Sequence, residues 1–159
     1  MISVTAASPR RFKIPISVLV VIHTPALDVL LMERAPWPGY WQSVTGSVER
    51  EDEPLAETAA REVLEETGID VKRHRLVEWG IRNRFEIYKL WQSRYAPGVT
   101  HNIEHVFGLT VPEQMPVRLA PQEHSRYLWL SWEEAAAKCF SWSNRDAILM
   151  LPARVTTVP

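Results

Sequence analysis

Residues 16–22, Ile-Ser-Val-Leu-Val-Val-Ile, are β-branched and apolar on both alternating sets of positions. A strand with that pattern belongs in the middle of a sheet, covered on each side. Residues 29–32, Val-Leu-Leu-Met, follow after a short Pro-Ala-Leu-Asp connection, so the two runs are expected to form a hairpin. Pro36, Pro38 and Gly39 punctuate the next stretch, which leads into Trp-Gln-Ser-Val-Thr-Gly at 41–46 and places Gly46 on a turn.

The period changes after Pro54. Leu55, Ala56, Ala59, Ala60, Val63 and Leu64 recur at helical spacing and make one apolar stripe. Pro54 suits a first turn, and Gly68 suits the position just past a helix end. Strand-like stretches recur at 76–81, 85–90, 104–111 and 127–130. Ser131 and Glu134 have capping-box spacing ahead of a second helix through 135–138, and a third helix is expected after Ser143 and Asn144, ending before Pro152. The expected architecture is α/β, one mixed sheet with helices on its faces.

A chain of 159 residues suits one domain with a single core. Residues 1–13 read as a loose leader, 14–151 as the domain and 152–159 as a C-terminal tail. With 18 Lys and Arg against 19 Asp and Glu, no broad basic field points to nucleic acid or to an anionic membrane. Cys139 is the only cysteine, which precludes an intramolecular disulfide and fits a reducing cytoplasm. The longest apolar run is interrupted by Pro15 and is far short of the roughly 20 residues that span a bilayer. No signal-peptide pattern is visible.

Chemistry concentrates in Arg61-Glu62-Val63-Leu64-Glu65-Glu66-Thr67-Gly68-Ile69. Glu62, Glu65 and Glu66 are related by i, i+3 and i, i+4, so their carboxylates fan over one side of a helix. Like charges at that spacing repel unless a cation sits among them. Oxygen ligands without nearby His or Cys favour Mg²⁺ or Mn²⁺ over zinc, and Mg²⁺ commonly bridges carboxylates to phosphates. On spacing alone, the competing reading is a solvated acidic face with Glu57–Arg61 and Arg61–Glu65 ion pairs.

The whole segment resembles the Nudix box: Gly, five residues, Glu, seven residues, then Arg-Glu-apolar-x-Glu-Glu-x-Gly-apolar. Glu53 and the run from Arg61 to Ile69 match it, whereas six residues, 47–52, separate Gly46 from Glu53. The resemblance implies a Nudix-type α/β/α sandwich with a mixed central sheet. It makes Glu62, Glu65 and Glu66 metal ligands together with the Gly46 carbonyl, and it makes Glu53 and Arg61 a brace between loop and helix. Family members often take their general base from outside the box. Glu123 is the candidate here, with an exposed loop glutamate as the alternative.

Three further runs resemble one branch of the family, the dihydroneopterin triphosphate pyrophosphatases of bacterial folate synthesis. They are residues 41–49, Trp-Gln-Ser-Val-Thr-Gly-Ser-Val-Glu; 94–100, Arg-Tyr-Ala-Pro-Gly-Val-Thr; and 141–145, Ser-Trp-Ser-Asn-Arg. This resemblance implies Mg²⁺-dependent removal of diphosphate from a small-molecule triphosphate. Trp41 is expected to offer a stacking face. Arg34 is expected at a phosphate or as a solvated strand cap. Arg94 and Tyr95 line the site or belong to a plain turn. A nucleoside triphosphate, including an oxidised purine nucleotide, is the competing substrate, because guanine and pterin share a hydrogen-bonding edge. A non-catalytic nucleotide- or RNA-binding module would be marked by loss of box carboxylates, and all are present.

Overall fold

The structure is a computed structural model and describes residues 12–155. Its seven strands are β1 (Ile16–His23), β2 (Asp28–Arg34), β3 (Trp41–Gln42), β4 (Val44–Ser47), β5 (Arg75–Glu86), β6 (His101–Thr110) and β7 (His124–Ser131). The helices are α1 (Leu55–Thr67), α2 (Trp132–Lys138), α3 (Trp142–Leu149) and α4 (Leu151–Val155). Short 3₁₀ turns occupy Val71–Arg73 and Lys89–Arg94. The main sheet path runs β3-β2-β1-β6-β5, with β4 also on β1 and β7 also on β2. β1 and β6 are parallel and the other pairs antiparallel, so the sheet is mixed.

β1 serves two cores by alternation. Val18, Val20 and Ile22 pack with Ala59 and Val63 of α1. Leu19 and Val21 pack with Ala135 and Ala136 of α2 and with Ala147 and Ile148 of α3. Each face of the strand is closed by a helical layer, and its apolar-both-sides composition follows from that burial.

The hairpin of β1 and β2 is joined only at its closed end, where His23 pairs with Val29. Beyond that point β4 takes one edge of β1, while β7 pairs along β2 from Asp28 to Arg34. The strands therefore splay. Ser43 connects β3 to β4, and Asn144 of α3 pins it there: its Oδ1 accepts from the Ser43 amide (2.8 Å) and its Nδ2 donates to Ser43 Oγ (3.0 Å).

Helix limits follow their local chemistry. Pro54 stands at the N-cap of α1, and Gly68 ends it at φ 76°, with its amide bonded to the Leu64 carbonyl. Ser131 caps α2 by accepting from the Glu134 amide. α3 begins at Trp142, ahead of the start expected after Ser143 and Asn144, because Ser141 caps it by accepting from the Asn144 amide. Pro152 does not end the helical structure. It lies in the first turn of α4, where no amide donor is needed.

Other expectations are corrected. The stretches at 76–81 and 85–90 are not two strands: β5 is continuous through a register shift between Glu78 and Arg82, where Gly80 takes φ 72°. Residues 89–94 turn into the 3₁₀ segment. Gly46 lies inside β4, paired with Val18, and not on a turn. Lys13 belongs with the domain rather than the leader, since it bridges to Tyr95 and its amide bonds the Arg94 carbonyl at 2.8 Å; residues 1–11 of the expected leader and 156–159 of the tail lie outside the described residues. Among the described residues, no helix is long and apolar enough to cross a membrane.

Candidate active site

α1 presents its acidic side to β4 and to the start of β7. Gly46 meets Glu62 there: a Cβ added at Gly46 would overlap the Glu62 carboxyl group. Glycine is required at 46 for space, since its φ is not positive. Glu53 lies at the end of the preceding loop. Its Oε1 accepts from Arg61 Nη2 (2.9 Å), Thr58 Oγ1 (2.5 Å) and the Glu49 amide (3.2 Å). Arg61 also donates to the Ser47 carbonyl (3.2 Å) and to Glu62 (2.8 Å). One guanidinium thus ties the loop, β4 and α1 together. In the six-residue segment between Gly46 and Glu53, the Val48 amide bonds the Ile16 carbonyl and a turn closes from Arg50 to Glu53, and the tie from Glu53 to Arg61 is present.

The box glutamates differ sharply in surroundings. Glu65 is exposed, 3.8 Å from Arg61. Glu62 is largely buried, and burial pushes its pKa up to about 7 despite the adjacent Arg61. Glu66 is buried, its Oε2 has no hydrogen-bond partner, and burial followed by the Glu62 and Glu123 charges raises its pKa well above the carboxylate range. Exposed Glu123 and buried His124 approach Glu66 so that one ligand atom from each of the three lies within 4.8 Å of the others. His124 Nε2 is 3.6 Å from Glu66 Oε1. Burial and then Arg34 lower the His124 pKa to about 4, so it is neutral near pH 7 and does not compensate the carboxylates.

That unfinished charge balance suits a divalent cation. A buried carboxylate oxygen lacks a donor, two further carboxylates face it, and Gly46 leaves room beside Glu62. His124 was not among the residues the spacing singled out. Its position next to Glu66 depends on β7 returning to α1, and its only sequence signal is adjacency to Glu123.

A cleft opens beside this cluster. Gly46 and Ser47 form one edge, Arg34, Arg94 and Lys13 bring positive charge, and Tyr95 lies beside them. Burial raises the Tyr95 pKa, and nearby Ser47 and Arg94 oppose the rise. Arg34 links the two regions: its guanidinium lies 4.5 Å over the Trp91 ring, and its charge acts on Glu66 and Glu123. Trp91, Tyr88 and Phe140 form an aromatic wall, with Tyr88 and Trp91 edge to face at 5.2 Å.

Trp41 is not part of that wall. It is 5% exposed, packs in the core beneath α2 and α3, and is covered by Arg126 and Lys138. Strand alternation sends Gln42, its neighbour, to the cleft instead, where it accepts from Arg34 Nη1 at 3.1 Å. The aromatic rings that line the cleft include Tyr88, Trp91 and Phe140, and Trp41 is not among them.

A model of the NUDIX domain matches residues 13–151. The chain is 44% identical over 142 residues to dihydroneopterin triphosphate diphosphatase of Escherichia coli strain K12, covering 87% of this chain and 93% of that protein. It is 35% identical to the Haemophilus influenzae protein of the same name, covering 91% of each. The solved structure of the E. coli dihydroneopterin triphosphate pyrophosphohydrolase superposes with a TM-score of 0.83 at 42% identity, over 90% of this chain and 98% of that one. With a domain match over residues 13–151 and a relative 44% identical over 87% of the chain, the chain belongs to the Nudix family.

Proposed function

We propose that this protein is a Mg²⁺-dependent hydrolase that cleaves dihydroneopterin triphosphate to the monophosphate and diphosphate. The observation that carries this reading is Arg34, a cation placed between the buried acidic cluster and an aromatic-walled cleft. A molecule with a triphosphate at one end and a flat heterocycle at the other fits that order of charge and ring. The names of the relatives supply the pterin.

Glu62, Glu65 and Glu66 with the Gly46 carbonyl are the groups that would hold Mg²⁺, joined on geometry by Glu123 and His124. The cation would polarise the phosphoryl oxygens and neutralise the leaving diphosphate. Arg34, Arg94 and Lys13 bind phosphate oxygens and orient the chain of phosphates. Glu123, exposed at the cluster's open side, takes the proton from the attacking water. Glu53 and Arg61 keep Glu62 and β4 in register. Trp91 and Phe140 provide the stacking faces.

The test is product analysis with Mg²⁺ over dihydroneopterin triphosphate and the common nucleoside triphosphates. Diphosphate release, with the highest kcat/KM for the pterin, is the expected result. A higher kcat/KM for a purine nucleotide would move the substrate to the nucleotide class, and absence of diphosphate from all of them would remove the hydrolase reading.

A further inference from the structure

Glu104 is a buried acid that the hydrolysis chemistry above does not use. It is 5% exposed, sits on β6 and lines the cleft, and its Oε1 has no hydrogen-bond partner. β6 is parallel to β1 and antiparallel to β5, and register sets Glu104 beside Ser17 on one side and Asn83 on the other. Asn102, two residues earlier and on the same face, is also buried in the cleft wall. Its Nδ2 donates to Ser17 Oγ at 2.7 Å, which leaves its Oδ1 without a partner.

The remaining polar groups at this end are already engaged. Asn144 uses both ends of its amide on Ser43. Nearby Ser143 and Asn83 favour the charged form of Glu104, yet burial outweighs them and pushes its pKa up to about 7. Two open acceptors therefore belong to residues of the buried cleft wall. A buried acceptor without a donor costs free energy, so the wall is complementary to a ligand that brings adjacent donors. Among flat heterocycles, that demand is met by an edge with a ring N–H next to an exocyclic amino group, as in a 2-amino-4-oxo pteridine or guanine. Adenine presents a ring acceptor at the corresponding position.

We propose that Glu104, with Asn102, is the specificity-determining contact of the cleft and reads the N–H and 2-amino donors of the substrate's ring while the aromatic wall stacks on its face. The proposal rests on the hydrolase reading for its substrate and on the cleft for its chemistry. It predicts discrimination by one amino group, because a substrate lacking that donor leaves an acceptor buried and unpaired.

The experiment compares Glu104→Gln with the parent on dihydroneopterin triphosphate, GTP and ITP, the last two differing only in the 2-amino group. The parent should favour GTP over ITP by about 10-fold or more in kcat/KM, and the variant should bring that ratio close to one while losing about 10- to 100-fold on the pterin. Melting temperature shows whether the variant is folded, and Glu104→Met, of similar volume and without polar atoms, carries the same comparison if the amide is not accommodated. An unchanged GTP to ITP ratio, or an equal loss on all three substrates, would overturn the assignment while leaving the hydrolase reading intact. If the parent does not cleave the pterin, the substrate reading falls on its own. The ratio of GTP to ITP binding constants on metal-free parent and variant then decides the role of Glu104 without turnover.

Discussion

Glu53 and Glu66 are two buried glutamates of one motif held in opposite electrostatic states. Glu53 accepts from Arg61, Thr58 and the Glu49 amide, and its pKa falls to about 2, with the Arg61 hydrogen bond as the largest cause. Glu66 has a free buried oxygen, like-charged neighbours in Glu62 and Glu123, and a raised pKa. The first carboxylate is finished by the protein. The second is left for something the protein binds, and the contrast separates structural support from chemistry within a single helix and its preceding loop.

The largest effect is expected at the cluster's open side. Glu123→Gln should cut turnover by roughly 10²–10⁴-fold if Glu123 is the base, with a much smaller change in KM. A Mg²⁺ titration sharpens the assignment: recovery of rate at high Mg²⁺ would make Glu123 a cation ligand, and no recovery would keep it as the base. Full activity at every concentration would remove it from the mechanism.

Arg61→Ala attacks the finished side. It strips Glu53 of its cation and Glu62 of a donor at once. Turnover should fall by about 10- to 100-fold through misplacement of Glu62 and β4. Stability should fall by about 3 kcal/mol, because a mostly buried pair is broken from one side. Urea unfolding and steady-state kinetics check both. An unchanged midpoint with unchanged turnover would make Arg61 an ordinary surface residue.

The smallest effect is a pH dependence. Glu53 has a folded pKa of about 2 against an ordinary 4.5. Its contribution is therefore fully present above about pH 4.5 and is lost as pH falls toward 2. The stability gap between the parent and Glu53→Gln should be widest at neutral pH and should narrow below pH 4.5, as read by urea unfolding at pH 7, 4 and 3. A gap independent of pH would mean that the brace acts through shape rather than charge.

Much of this was legible in the sequence because it is local. The α1 helix, its Gly68 end and the Ser131 cap are set by residues within a turn or two of each other; the buried face is turned from the expected stripe, since Ala59 and Val63 are buried while Ala56 and Leu64 are exposed. The Glu53–Arg61 pair that the family resemblance implied corresponds to the 2.9 Å contact. What escaped depends on residues far apart. His124 reaches Glu66 only because β7 returns along β2. The gap at 82–84 reads as a break between two strands, yet β5 runs through it, taking a register shift between Glu78 and Arg82 where Gly80 has a positive φ. Trp41 and Gln42 are equally plausible cleft residues until the sheet fixes which one faces α2 and α3. Gly46 reads as a turn glycine, whereas its size serves the approach of Glu62.

The most direct measurement is the thermal unfolding of the parent and Glu66→Gln at pH 8, with and without Mg²⁺. A carboxylate whose folded pKa is raised costs stability as pH rises from 4.5 through the raised value, and for Glu62 that cost is complete above about 7. Without metal, Glu66→Gln should melt no lower than the parent, since the amide removes the cost of ionising a buried carboxyl beside Glu62 and Glu123. Saturating Mg²⁺ should then raise the parent by several degrees, in line with about 2.7 kcal/mol at 100 times the Kd, and should leave the variant nearly unmoved. A parent indifferent to Mg²⁺, together with a variant that melts well below it, would show that Glu66 is a structural acid and would contradict the account.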